Sequence, residues 1–168
     1  AVPVGGLPGG GPPALYRLVH SVLIRVLSQL MPAAAGRLAL CDPQEPKPAA
    51  DEPFLCFQRR SQGDVIVRRP GGDDKVIGSA QRKRAGAVLQ HGSILLRQSR
   101  AAPELPGLAE LLQTAPPPAD GLSRAIAERV SRELQMSLVE QSLTAAESAA
   151  ADAIAEQKFA ADGWTRRR

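Results

Sequence analysis

Aromatic residues are nearly missing from this chain, at 3% of its 168 positions. A core made without them must rest on Leu, Val, Ile and Ala, and stacking on nucleobases has little to work with. Cysteine is scarce as well. The two present, Cys41 and Cys56, are too few for a disulfide scaffold and point to a reducing compartment. Long apolar runs are absent, for the longest, Leu15 to Leu30, is interrupted by Arg17, His20 and Arg25 and cannot span a bilayer. No stretch combines the charged start, apolar centre and small-residue cleavage site of a secretory signal. The expectation is a cytoplasmic protein with no membrane role. The chain also lacks an initial methionine: Ala1-Val2-Pro3-Val4 reads as the tail of an apolar strand, as if an N-terminal part were missing.

What is present is ordinary for one folded domain: 43% apolar and 23% charged residues, enough length to bury a core, and a net charge of +4. Much of the basic excess lies in Arg82-Lys83-Arg84 and Arg166 to Arg168. Such charge suits nucleic acid, an anionic cofactor or an acidic partner, but solvated arginine explains it most simply. Without stacking aromatics or a docking module, nucleic-acid binding is not expected.

Gly5 to Pro13 is a glycine- and proline-rich connector. It is no phosphate loop, because no Gly-Lys-Ser/Thr ending follows and Pro12 and Pro13 remove backbone donors. Leu15, Leu18, Val19, Val22, Leu23, Val26, Leu27 and Leu30 then recur at three- and four-residue spacing. That stripe predicts a helix with Pro12 and Pro13 in its first turn and Pro32 at its end. His20 sits near the stripe's edge, where a structural role is expected. Leu38 to Cys41 suggests a short strand, and residues 42–53, with four prolines, a loop.

Val65 to Val67, Lys75 to Ala80, and Ala87 to Leu89 continuing through Ser93 to Leu96 have strand character. The turn Arg69-Pro70-Gly71-Gly72-Asp73 lies between the first two, so a meander is predicted. Leu122, Ile126, Val130 and Leu134 align on one later helix, and Met136 to Val139 suggests a short strand. A last helix starts at the capping box Thr144…Glu147 and is expected to run to about Gly163. The fold class is α+β.

Singly, the chemically interesting residues have plain explanations. Cys56 between Leu55 and Phe57 suits a packed thiol, Lys75 a turn, Gly78-Ser79-Ala80 a small-residue strand, and His91-Gly92-Ser93 a backbone-bonded histidine. Together they lie within 38 positions, Cys56 to Ser93. On a meander a lysine and small residues can face one groove, where glycine and alanine admit an acyl chain close to the backbone. A lysine there offsets charge on an acyl phosphate or thioester oxyanion, and a thiol can carry the acyl group between two transfer steps.

The ordered segments Cys56-Phe57, Asp64 to Val67, Lys75-Val76-Ile77-Gly78-Ser79-Ala80-Gln81-Arg82 and Gly86 to Leu96 resemble the biotin/lipoate protein ligase family. The closest likeness is to its lipoate branch, the lipoate–protein ligases and cysteine-dependent octanoyltransferases. Ala155 to Trp164 is similar to the Lys-Tyr-Ala-Ser-Asp-Glu-Trp ending of that branch. Only 42–53 and 98–120 match poorly.

The resemblance implies an α+β fold with a mixed or antiparallel sheet packed with helices, of the class II aminoacyl-tRNA synthetase and biotin synthetase type, truncated at its N-terminus. It implies one catalytic domain over 1–168, with 119–168 a mainly helical end. Lys75 matches the lysine that contacts the activated acyl group. Gly78, Ser79 and Ala80 match the strand lining the acyl tunnel, with His91, Gly92 and Ser93 beside it. Cys56 matches the acyl-carrying cysteine of octanoyltransferases, and with Gln90 it favours acyl transfer over ligation.

The implied activity moves an octanoyl or lipoyl group onto a lysine of a lipoyl-domain protein through a Cys56 thioester. One alternative is ATP-dependent ligation through lipoyl-AMP, and another is a non-catalytic remnant. No tightly bound cofactor and no metal site is expected. The donor is octanoyl-acyl carrier protein or lipoate, with ATP and Mg²⁺ in the ligase version. Implied partners are the acyl carrier protein and lipoyl-domain acceptors such as the glycine cleavage H protein or dehydrogenase E2 subunits. The branch's upstream Arg-Arg-x-x-Gly-Gly element is absent, and Arg68-Arg69-Pro70-Gly71-Gly72 sits at a hairpin turn instead.

Overall fold

The computed structural model describes residues 1–42, 53 and 55–166. The loop expected over 42–53 lies outside the described residues except at its two ends. Two compact units are present, Ala1–Met136 and Ser137–Arg168.

In the first unit, the strands are β1 (Val2–Pro3), β2 (Leu38–Leu40), β3 (Val65–Val67), β4 (Asp74–Arg84) and β5 (Ala87–Ile94). They form one sheet in the order β1-β5-β4-β3-β2, with every neighbouring pair antiparallel. The expected meander is β3-β4-β5. Gly72, with φ of 123°, makes the first turn, and Ala85 and Gly86, with φ of 47° and 74°, make the second. Positive φ at both central residues is what a two-residue hairpin requires to match strand twist. The third predicted strand is continuous from Ala87 to Ile94.

Helix α1 (Gly11–Leu30) has prolines in its first turn, and its stripe is the core. Leu15 is buried, and Val22, Leu23, Val26 and Leu27 are buried against Val65, Val67, Val76 and Ile77 of the sheet. Met31 ends the helix, its N–H bonded to the Leu27 carbonyl. Two further helices close this core. Helix α2 (Leu108–Leu112), for which the sequence pattern gives no expectation, buries Leu108, Leu111 and Leu112. Its entry is held by Leu108 N–H to Leu95 O and Ala109 N–H to Leu96 O. Gly107 is needed there because a Cβ would stand 2.5 Å from the Arg97 backbone. Helix α3 (Ala119–Leu134) places Leu122 in the core and pairs Glu133 with Arg25 of α1 at 3.0 Å.

The second unit holds α4 (Ala145–Ile154), a π-helical turn over Ala155–Phe159 and α5 (Asp162–Thr165). The capping box forms as expected: Thr144 Oγ1 accepts from Glu147 N–H while Glu147 accepts from Thr144 N–H at 2.8 Å. Two expectations are corrected. Met136 to Val139 is not a strand, for Leu138 and Val139 are exposed and pair with nothing regular. The last helix is not continuous to Gly163. It widens into the π turn, breaks at Ala160–Ala161 and restarts, and Phe159 and Trp164 meet edge to face across that break at 5.2 Å.

Candidate active site

The sheet has a notch. β3 pairs with β4 only as far as Val65 opposite Ile77, after a one-residue register shift. Beyond that point the chain leaves at Gly63, whose φ is 85°. The β4 backbone past Ile77 therefore lacks a strand neighbour on this side among the described residues, and polar side chains fill the space. Ser79 N–H donates to the Tyr16 hydroxyl at 3.4 Å, and that hydroxyl donates to Asp64 Oδ1 at 2.7 Å. Burial first, and then the Asp64 hydrogen bond, push the Tyr16 pKa up, so the phenol remains a donor.

Asp64 is 1% exposed and immediately precedes the buried strand β3. Its Oδ2 accepts from Ser61 N–H at 2.7 Å and pairs with Lys75 Nζ at 2.8 Å. A buried carboxylate is tolerable only when paired and hydrogen-bonded, and each Asp64 oxygen is. The Lys75 ammonium has three protons to donate. It meets three acceptors: Asp64, the Arg59 carbonyl at 3.1 Å and the Cys56 carbonyl at 3.3 Å. The Phe57 ring lies 5.3 Å from the same nitrogen. Lys75 thus sits within the turn that carries Cys56, where Gln58 N–H bonds Leu55 O at 3.0 Å. Cys56 itself is exposed, and Cys41 is the buried thiol. The plain reading of Cys56 as a packed thiol is set aside by that exposure.

The six strand residues divide between two faces. Gly78 faces Ser93 across the ladder, Ser79 faces Gly92, and Ala80 faces His91. Ser79 reaches His20 and Gln81 reaches the Pro12 carbonyl, so odd-numbered positions here point to α1. Pleating then puts Gly78, Ala80, His91 and Ser93 on the opposite face. Ala80, His91 and Ser93 are exposed there. Gly78 is where Lys75 crosses: a Cβ would lie 2.6 Å from Lys75 Cε. At Gly92 a Cβ would stand 2.9 Å from Ser79 Cα and overlap the Gly78 carbonyl oxygen. Both glycines are packed against the protein's own atoms.

His20 is wholly buried. Its Nδ1 lies 2.6 Å from the Gly63 carbonyl, which can only accept, so Nδ1 carries the proton. Nε2 then accepts from the Ser79 hydroxyl at 2.6 Å. Burial lowers the His20 pKa and keeps the ring neutral. The structural role expected of His20 is what these contacts describe.

Three cavities border this region. One of about 360 Å³ lies between Tyr16, Arg17, Gln62, Ser79 and Gln81. Another of about 300 Å³ is lined by Phe57, Arg60, Asp74, Lys75 and Glu104. A third of about 160 Å³ runs along Leu23, Ile77 and residues 90–94. No group of three His, Cys, Asp or Glu among the described residues is placed to hold a metal ion. None of their helices is long and apolar enough to cross a membrane.

Sequence comparison matches residues 10–99 to the biotin/lipoate A/B protein ligase family, a span that includes Cys56, Lys75 and the β4–β5 hairpin. The chain belongs to that family. It is 30% identical to an octanoyltransferase LipM of Symbiobacterium thermophilum over 95% of its length, and covers 64% of that protein. The octanoyltransferase LipM of Kyrpidia tusciae is likewise 30% identical, with 97% of this chain and 64% of that one covered. The chain thus spans under two thirds of these relatives. Among solved structures it is similar to a Thermoplasma acidophilum protein described as a lipoate protein ligase, with bound lipoic acid. The TM-score is 0.59 at 18% identity, over 90% of this chain and 57% of the other. A structure from a study of an archaeal lipoylation system, a bipartite lipoate protein ligase and its E2 lipoyl domain from Thermoplasma acidophilum, gives a TM-score of 0.57 at 16% identity, over 90% and 56%. These likenesses establish the fold.

Sequence reasoning missed Asp64 and the Arg59 carbonyl as partners of Lys75, and Tyr16 as a partner of Asp64. The one available signal was an aspartate placed directly before a wholly apolar strand.

Proposed function

We propose that this chain carries the acyl-transfer site of a protein-lipoylation enzyme that works through Cys56. The observation that carries the reading is the exposed Cys56 thiol on a turn whose carbonyl is bonded to the Lys75 ammonium. Similarity to two octanoyltransferases supports the substrate class.

In the first step Cys56 sulfur, as thiolate, attacks the carbonyl carbon of an octanoyl thioester on acyl carrier protein. A new C–S bond forms, the old one breaks, and the carrier leaves as its thiolate, which takes up the proton that Cys56 gave up. In the second step the neutral amine of a lipoyl-domain lysine attacks the Cys56 thioester. The amide C–N bond forms, and the Cys56 thiol leaves with the amine's proton. Lys75 stabilises the oxyanion of each tetrahedral intermediate by exchanging one of its carbonyl partners for the developing charge. This route needs no tightly bound cofactor and no metal. The acceptors are lipoyl-domain proteins such as the glycine cleavage H protein or dehydrogenase E2 subunits.

The test is intact mass after incubation with octanoyl-acyl carrier protein. An octanoyl adduct that disappears in Cys56→Ser supports the thioester route. Lipoate transfer that requires ATP and Mg²⁺ and survives Cys56→Ser supports ligation instead, with Lys75 contacting the phosphate. Neither adduct nor ligation supports a non-catalytic remnant.

A further inference from the structure

The furthest-reaching arrangement is the chain of contacts behind Lys75. We infer that Asp64, held by Tyr16, is a positioning residue that acts through Lys75 to fix the turn carrying Cys56.

The contacts form a single line through the notch. The Tyr16 hydroxyl donates to Asp64 Oδ1 at 2.7 Å, and Asp64 Oδ2 holds Lys75 Nζ at 2.8 Å. From Lys75 the ammonium reaches forward to the carbonyls of Cys56 and Arg59, three residues apart on the same turn. Asp64 Oδ2 also accepts from Ser61 N–H, closing the far end of that segment. Residues 55–62 are thereby tied at Cys56, Arg59 and Ser61 to one buried carboxylate and its lysine. Among the described residues, the backbone bonds at this turn include Gln58 N–H to Leu55 O and Asp64 N–H to Ser61 O. The irregular turn has no strand or helix ladder of its own, so side-chain contacts contribute to its shape, those of Asp64 and Lys75 beside the Arg59 Nε bond to the Pro53 carbonyl.

Charge explains why an aspartate is needed. Two carbonyls alone do not compensate an ammonium with 10% exposure, and a buried cation without a carboxylate is strongly destabilised. Gly78 leaves the space the lysine chain crosses, with a Cβ there 2.6 Å from Lys75 Cε. Tyr16 comes from α1, so the rigid helix and strand β4 together define where the thiol stands. Positioning of this kind matters to acyl transfer because a nucleophile misplaced by about 1 Å loses on the order of a hundredfold in rate.

The rate consequence rests on the acyl-transfer reading, but the positioning does not. Hydrogen exchange of the amides in 55–62 and the iodoacetamide alkylation rate of Cys56 measure it directly in the full chain. Asp64→Asn is expected to speed exchange in 55–62 at least tenfold and to change the alkylation rate severalfold. Exchange in the middle of α1 and in the β4–β5 hairpin stays as in the wild type. Tyr16→Phe, which keeps the ion pair, gives a smaller change in the same residues, and it decides the matter if Asp64→Asn does not fold.

Where octanoyl adduct forms, Asp64→Asn lowers the limiting acylation rate tenfold or more at unchanged half-saturating carrier concentration. Asp64→Glu restores part of it. If the native chain forms no adduct, the functional reading fails while exchange still decides the positioning. Unchanged exchange in 55–62 in both variants overturns the inference. So does loosening spread equally over α1 and β4, which would make Asp64 a residue of the fold alone.

Discussion

His20 shows how much one buried titratable side chain can say. Burial depresses its pKa, so the unfolded chain binds a proton that the folded chain refuses. The sign follows from linkage. The native state is fully favoured above the unfolded histidine value, near about 6.5, and loses stability as pH falls below it toward the depressed folded value. The loss is at most about 1.4 kcal/mol per pH unit. Denaturant midpoints between pH 7.5 and 5 should therefore fall more steeply in the wild type than in His20→Gln. Equal slopes would mean the ring is protonated without cost. The stripe position of His20 implied a structural role, but its partners, Gly63 and Ser79, come from distant parts of the chain. The same is true of Lys75. It stands out in a sequence motif, whereas its ion pair with Asp64 depends on a gap in β3–β4 pairing that no local pattern encodes.

Among the elements, the β4–β5 hairpin is the least tolerant of change. Gly92 lies opposite Ser79 with no room for a side chain, since the nearest obstacles include backbone atoms that cannot move independently. Gly92→Ala should destabilise the chain by about 3 kcal/mol, the upper range of overpacking, read as a lowered denaturant midpoint. Gly86, where nothing lies within 4 Å of a Cβ, should lose stability only through its positive φ. In α4 the Thr144 backbone N–H and hydroxyl hold the Glu147 carboxylate below its ordinary pKa. That contribution to the helix start is present above the ordinary glutamate value and vanishes as pH falls through the lowered one. The Thr144 amide resonance should follow that titration, and Glu147→Gln should flatten it. Capping residues act on neighbours three positions away, which is why this helix start was legible. Helix α2 was not: its five residues are too short for a period, and contacts with Leu95 and Leu96 hold it in place.

Taken whole, the molecule concentrates its buried residues in Ala1–Met136. The unit Ser137–Arg168 buries none in its helices and exposes Val139 by 83% and Leu143 by 68%. A segment this short cannot build an independent core. A chain ending at Met136 should keep its Tm within about 5 °C of the full chain. It should also aggregate less, because exposed apolar surface promotes association. A large fall in Tm would show that the later residues stabilise the first unit. The sequence by itself determined the α1 stripe, the meander and its first turn, the α3 helix and the family, because periodicity, turn chemistry and motif order are local. Tertiary structure alone decided which face of the sheet each small residue occupies and what Lys75 and His20 touch. Those outcomes depend on pairing register and on where β3 stops, and a single residue of register moves every side chain to the other face.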